Sequence, residues 1–188
     1  MLERARVAAA AVLWLVMPAT ALACAYDGVI GDGLSVMHPG SLTVAVALRR
    51  AADAGVIDVG ATDTFAQRSA QLSDAMLRLH ALNSALASAM PQDGATLVFS
   101  VAFVESGLWT RFSAANGAIE MTVHTNGPRA GEATLLTGKS VLAKLSIGEL
   151  SLEHALAAGL IAIQGDTLGQ VRRVLVTAFG PGPLRASR

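Results

Sequence analysis

The chain has 188 residues, of which 53% are hydrophobic and only 15% charged, and its 14 basic side chains are balanced by 14 acidic ones. That length suits one ordinary domain with some chain to spare at one end. The absence of any basic run, together with 4% aromatic content, argues against nucleic acid as a partner, because phosphate recognition needs clustered Lys and Arg.

The N-terminus carries a three-part pattern. Arg4 and Arg6 precede an unbroken apolar run from Val7 to Val16, Pro18-Ala19-Thr20 breaks it, and Ala21-Leu22-Ala23 supplies a small-x-small cleavage site. This predicts a secretory signal peptide over residues 1–23, too short to span a membrane. Its removal leaves 12 basic and 13 acidic residues, because Arg4, Arg6 and Glu3 go with it. Cys24 then becomes the first residue. It is the only cysteine, so the fold cannot depend on an intrachain disulfide. The junction resembles that of bacterial lipoproteins, whose cysteine is acylated, although Ala21 stands where such sites usually carry leucine. Ala25 follows where an aspartate would signal retention at the inner membrane. The expectation is a periplasmic protein lipid-anchored to the outer membrane through Cys24; the alternative is a soluble periplasmic or secreted protein.

Residues 25 to 40 are rich in Gly and Asp and end in Pro39-Gly40, which is loop chemistry. Ser41 is placed to cap a helix running to about Ala54, with Gly55 as its stop and Leu42, Ala45, Val46 and Arg49 on one stripe. A longer helix is expected from Thr62 or Asp63, with Phe65, Leu72, Met76, Leu79, Leu86 and Met90 at helical spacing and Pro91 and Gly94 ending it. The period then becomes two. Leu97, Phe99, Val101 and Phe103 alternate with Val98, Ser100, Ala102 and Val104, so this strand has two apolar faces and should be covered on both. Trp109 to Ala114 makes a second strand, Asn116-Gly117 a hairpin turn, and Ile119, Met121 and Val123 one face of a third, with Glu120, Thr122 and His124 on its wetter face. Thr134 to Leu136 reads as a fourth strand. Two short helices follow, then a fifth strand over Leu160 to Ile163. Asp166 is expected to cap a last helix with a stripe of Leu168, Val171, Val174, Leu175, Ala178 and Phe179. The order of elements predicts an α+β domain, a roughly five-stranded, mainly antiparallel sheet covered by helices on one face, with an extra N-terminal helix. The expected divisions are 1–23 (signal peptide), 24–60 (tether and helix) and 61–188 (the domain).

From about residue 64 to 180 the sequence resembles the sterol carrier protein type-2 (SCP2-like) family. A helix ends near Pro91, a strand of V-x-F-x-V type spans Val98 to Val104, and a Trp-containing strand holds Leu108-Trp109-Thr110. An LL-x-G-x-x-x-L-x-x-L run starts at Leu135, and G-x-L-x-x-x-x-A-L-x-x-G-x-I-x-I-x-G-D spans Gly148 to Asp166. The family usually has Asp-x-x-Leu where this chain has Glu132-Ala133-Thr134-Leu135, a position read here as a surface cap or turn. The resemblance implies a lipid held between sheet and helices. Ala143, Ala155, Ala157, Ala158 and Gly159 are small enough to leave such a space, and are equally what close helix packing uses.

Recognisable reaction chemistry is missing. Thr137-Gly138-Lys139-Ser140 imitates the end of a P-loop but lacks its first glycine, which would fall at Ala133. No G-x-S-x-G elbow occurs. His38, His80, His124 and His154 have no partners at ligand spacing, and Asp27-Gly28 and Asp32-Gly33 lack the further carboxylates of a calcium loop. Cys24, Met37 and His38 are soft donors that could hold Cu(I), against a plainer reading as a tether with a chance Met-His pair.

The resulting expectation is a protein that is not an enzyme and needs no cofactor. It would carry an apolar small molecule (fatty acyl, polyisoprenoid, or hopanoid or sterol-like) in a cavity lined by Leu97, Phe99, Val101, Phe103, Ile119, Met121, Val123, Leu135, Leu142, Leu145, Leu156 and Phe179. It would sit at a membrane surface through lipidated Cys24. Two alternatives stand beside it: a non-enzymatic scaffold subunit of an envelope complex, with a filled core and a protein partner on residues 24–60, and periplasmic copper binding.

Overall fold

In the computed structural model, which describes residues 38–58, 64–90, 96–115 and 118–180, five strands and five helices follow one another in the order the sequence predicts: two helices, four strands, two helices, a strand and a helix. The helices are α1 (Ser41–Asp53), α2 (Phe65–Ala89), α3 (Lys139–Ile147), α4 (Leu152–Ala157) and α5 (Gln170–Phe179); the strands are β1 (Leu97–Phe103), β2 (Leu108–Ala115), β3 (Ala118–Val123), β4 (Ala133–Thr137) and β5 (Ile161–Gln164). The expectations for the signal peptide, Cys24, Met37, the Pro91–Gly94 stop and the Asn116-Gly117 turn lie outside the described residues.

The sheet order is β3-β2-β1-β4-β5. Three of its pairings are antiparallel, but β1 and β4 run parallel, so the sheet is mixed. The cause is the connection after β3, which brings the chain back across the sheet to the far side of β1. Thr125 N–H donates to the Trp109 carbonyl and Arg111 Nη2 to the Gly127 carbonyl, which pins this segment over one face.

That face is the one carrying Ser100, Ala102, Trp109, Arg111, Thr134 and Leu136. Helix α1, the extra N-terminal helix of the sequence reading, lies on it, so β1 is covered on both faces as its two apolar sides predict. The His38 ring meets Trp109 edge-on with centroids 5.9 Å apart, and a Cβ at Gly40 would run into the Gln164 amide and touch the Leu136 side chain. Gly40, at φ +94°, is the left-handed residue that starts α1. The physical reason is that Ala102 and Leu136 leave an apolar surface, and Val44 and Leu48 of α1 remove it from water. The stripe of Leu42, Val46 and Arg49 points outward instead.

The opposite face holds the main core. Phe99 and Phe112 are register partners across β1 and β2 and their rings stack 5.4 Å apart. Val101, Phe103 and Leu135 complete this layer. Over it lies α2, whose inward stripe is Ala75, Leu79, Leu82 and Leu86, with buried Met90 following at its C-cap. Helix α2 starts at Phe65, two or three residues later than the spacing suggests. Thr64 accepts from Gln67 N–H while the Gln67 side chain accepts from Thr64 N–H, a reciprocal cap. Helix α5 begins at Gln170, so Leu168 stands outside it and is 70% exposed. Asp166 still serves this helix, accepting from Val171 N–H and Arg172 N–H.

Candidate ligand cleft

An apolar cleft opens between α4 and α5. Gly148, left-handed at φ +78°, ends α3 and turns the chain. Leu150 follows, and Ser151 caps α4 by accepting from His154 N–H. This short helix presents Leu152 and Leu156 toward α5. From the other side come Arg172, Val176 and Phe179, spaced i, i+4 and i+7 and therefore on one helix face. The cleft encloses about 490 Å³ and is lined by these residues with Gly148, Leu150, Ser151, Glu153 and Gly180. Leu150, Leu152 and Phe179 are buried in its walls, Val176 is 51% exposed, and Arg172 and Glu153 stand exposed at its rim.

The twelve candidates of the sequence reading come together as one cluster. Leu97, Phe99, Val101, Phe103, Leu135, Leu142, Leu145 and Phe179 are buried, and Ile119, Met121, Val123 and Leu156 pack half-buried against them. Leu156 and Phe179 are the two that also line the cleft. Sequence reading missed Leu150, Leu152, Glu153, Arg172 and Val176. The spacing of Arg172, Val176 and Phe179 was a visible signal; which surface that face would meet was not.

Two polar clusters flank the core. Between α2 and α3 a cleft of about 420 Å³ is lined by Asp58, Asp74, Arg78, Lys139, Ser140 and Lys144 among others. Lys139 is only 6% exposed, and its ammonium lies 3.9 Å from the Asp74 carboxylate, which also pairs with Arg78 at 2.8 Å. Burial holds the lysine below its usual pKa against the pull of Glu105 and Asp74. The P-loop-like stretch has its first helical N–H, that of Lys139, donating 2.6 Å to Glu105 Oε1. The chain's own carboxylate thus takes the place a phosphate would need. On the opposite face of the sheet, Glu132 joins Ser100, Arg111 and the Arg129 N–H. It is the hub of a buried network, which corrects its reading as a surface cap.

Among the described residues no cluster of His, Cys, Asp and Glu has the makings of a metal site. His38 lies against Trp109, while Cys24 and Met37 fall outside the described residues.

No family model matches the chain, and no curated protein does. Solved structures give partial likenesses. A double mutant of the sec-alkylsulfatase Pisa1 aligns with 47% of this chain at 21% identity and a TM-score of 0.40. The stereoselective inverting sec-alkylsulfatase Pisa1 from Pseudomonas sp. aligns with 49% at 16% identity and a TM-score of 0.37. The chain spans only 14% and 13% of those two proteins. A conserved hypothetical protein of Thermus thermophilus, for which a sterol-carrier identity has been suggested, aligns with 56% of this chain and 79% of its own, at 16% identity and a TM-score of 0.35. The expectation that the chain is not an enzyme is corrected here, since two of these neighbours are enzymes.

Proposed function

We propose that this chain is an exported SCP2-like protein that binds an apolar, lipid-type ligand in the cleft between α4 and α5. The observation that carries the reading is the cleft itself. Leu150, Leu152, Leu156, Val176 and Phe179 line one concavity of about 490 Å³, within the range of small-molecule sites. An acyl chain or isoprenoid seated there gains about 25 cal/mol for each Å² of apolar surface removed from water, before the losses of association. Leu156 and Phe179 are assigned to ligand contact; the other ten candidates form the packed wall behind them. The three-part N-terminus and Cys24 support export and an acyl anchor at the outer membrane.

The test is native mass spectrometry and lipid extraction of the purified chain lacking residues 1–23, with displacement of a fluorescent fatty acid as the binding measurement. A co-purifying lipid and saturable displacement are expected. Absence of both overturns the reading. Anchoring is checked separately by the mass of the mature N-terminus and by release of a Cys24→Ser variant from membranes.

A second reading has its own observation. Leu42, Val46 and Val56 are 61%, 41% and 41% exposed and line a groove of about 650 Å³ between α1 and α4. Exposed apolar grooves of this kind suit an envelope protein partner docked on residues 24–60. A photo-crosslinker at Val46 that captures one envelope protein in cells would favour it; a blank result there removes it.

A further inference from the structure

The rim of the α4–α5 cleft carries one cation and one anion. Arg172 and Glu153 are both exposed and both line the cleft. Neither side chain has a hydrogen-bond or ion-pair partner among the described residues. The neighbouring Arg173 differs, because its guanidinium donates 2.7 Å to the Leu168 carbonyl. Arg172 therefore keeps its fork of donors free beside an apolar wall, where a planar guanidinium best engages a phosphate or carboxylate. Glu153, in the first turn of α4, is an acceptor-only group on the opposite helix. A purely anionic head would meet Glu153 as a like charge, and a purely cationic one would meet Arg172 so.

Resting on the lipid-binding reading above, we propose that the cleft selects a zwitterionic amphiphile. Its acyl chain lies along Leu152, Leu156, Val176 and Phe179, its phosphate or carboxylate pairs with Arg172, and its ammonium pairs with Glu153. Charge-assisted pairs at the edge of a low-dielectric surface are stronger than neutral ones, and correct placement of both charges gives discrimination that chain burial alone does not supply.

The experiment compares four single-chain compounds of equal chain length below their micelle concentrations: an alkyl alcohol, a fatty acid, an alkylamine and an alkylphosphoethanolamine. Each displaces a neutral fluorescent probe from the chain lacking residues 1–23. The zwitterion is expected to bind at least about tenfold tighter than the alcohol, with the acid and the amine between. Arg172→Gln should erase the contribution of the phosphate, leaving the zwitterion no better than the amine. Glu153→Gln should let the acid bind as well as the zwitterion. Both residues are exposed, so the variants should keep the parent's thermal melt, which checks that they fold. If the alcohol binds as tightly as the zwitterion, or the variants leave the order unchanged, head-group selection is wrong while lipid binding stands. If none of the four compounds displaces the probe, the cleft itself is wrong and this inference falls with it.

Discussion

The carboxylate of Glu132 receives the Arg111 guanidinium from across the sheet, with Nε 3.1 Å from Oε1 and 3.2 Å from Oε2. Ser100 Oγ donates to Oε1 at 2.6 Å and Arg129 N–H to Oε2 at 2.9 Å. Four parts of the chain, namely β1, β2, the returning segment and the start of β4, are therefore fastened at one side chain that is only 4% exposed. Burial alone would raise the carboxyl pKa. The donors from Ser100, Arg129 and Arg111, with the Arg111 charge, outweigh it and hold the group below its ordinary 4.5.

Glu132→Gln should cost about 3 kcal/mol, because it leaves the Arg111 charge buried without its counterpart. A native pKa below the unfolded one means the native state binds the proton less readily. The stability from this group is then fully present above the unfolded value of 4.5 and is lost as pH falls through the lower native value. Urea unfolding across acid pH should show this decline in the parent and not in the variant. A variant as stable as the parent at pH 7 would remove Glu132 from the role assigned here.

Glu105 makes the opposite contribution. Its Oε2 is enclosed and has no hydrogen-bond partner among the described residues, while Oε1 accepts from Lys139 N–H. Burial pushes this carboxyl above 4.5, and the Glu105 and Lys139 N–H groups and the Lys139 charge reduce the rise without cancelling it. The native state therefore holds its proton more tightly than the unfolded chain, and ionisation costs stability as pH rises from 4.5 through the raised value. Glu105→Gln keeps an acceptor for Lys139 N–H and removes the charge. It should be at least as stable as the parent at pH 7, and its loss of stability between pH 4.5 and 7 should be smaller. Denaturant midpoints at the two pH values decide this.

The course of the chain was legible because periodicity is local. The alternation of Leu97, Phe99, Val101 and Phe103 and the split of β3 into Ile119, Met121 and Val123 against Glu120 and Thr122 are each written within a few residues. The parallel pairing of β1 with β4 was not legible, since it depends on where a returning segment crosses the sheet. The inward face of α1 was hidden for a related reason. Leu42 and Val46 make as good an apolar stripe as Val44 and Leu48, and only the surface of Ala102 and Leu136 selects between them. The Glu132 network joins residues 21 and 32 positions apart and leaves no local pattern. Of the cleft, Leu156 of α4 and Phe179 of α5 were named from the sequence, while Leu150, Leu152, Glu153, Arg172 and Val176 were not, because the meeting of two helices leaves no local pattern.

Gly138 joins the two faces of the sheet. A Cβ there would lie 2.9 Å from Leu48 Cδ2 and 3.3 Å from Glu105 Oε2, so the buried Leu48 side chain must shift to admit it. Gly138→Ala should cost about 1–3 kcal/mol, the usual penalty for overpacking a filled site. In a Leu48→Ala background, which vacates the space, the same change should cost much less. The double-mutant cycle measured by urea unfolding should therefore show a coupling of about 1 kcal/mol. Additive effects would mean that α1 does not press on Gly138.

Val176 separates the cleft's role in binding from its role in stability. It lines the α4–α5 cleft yet is 51% exposed, so a larger side chain there projects into the opening without entering the packed core. Val176→Trp should change stability by no more than about 0.5 kcal/mol and weaken displacement of a fluorescent fatty acid at least about tenfold, because the indole occupies space the acyl chain needs. Val46→Trp is the matching control. It is 41% exposed and lines the groove between α1 and α4, so it should leave lipid binding untouched. The reverse outcome, with Val46→Trp blocking the ligand and Val176→Trp leaving it in place, would move the lipid site to α1.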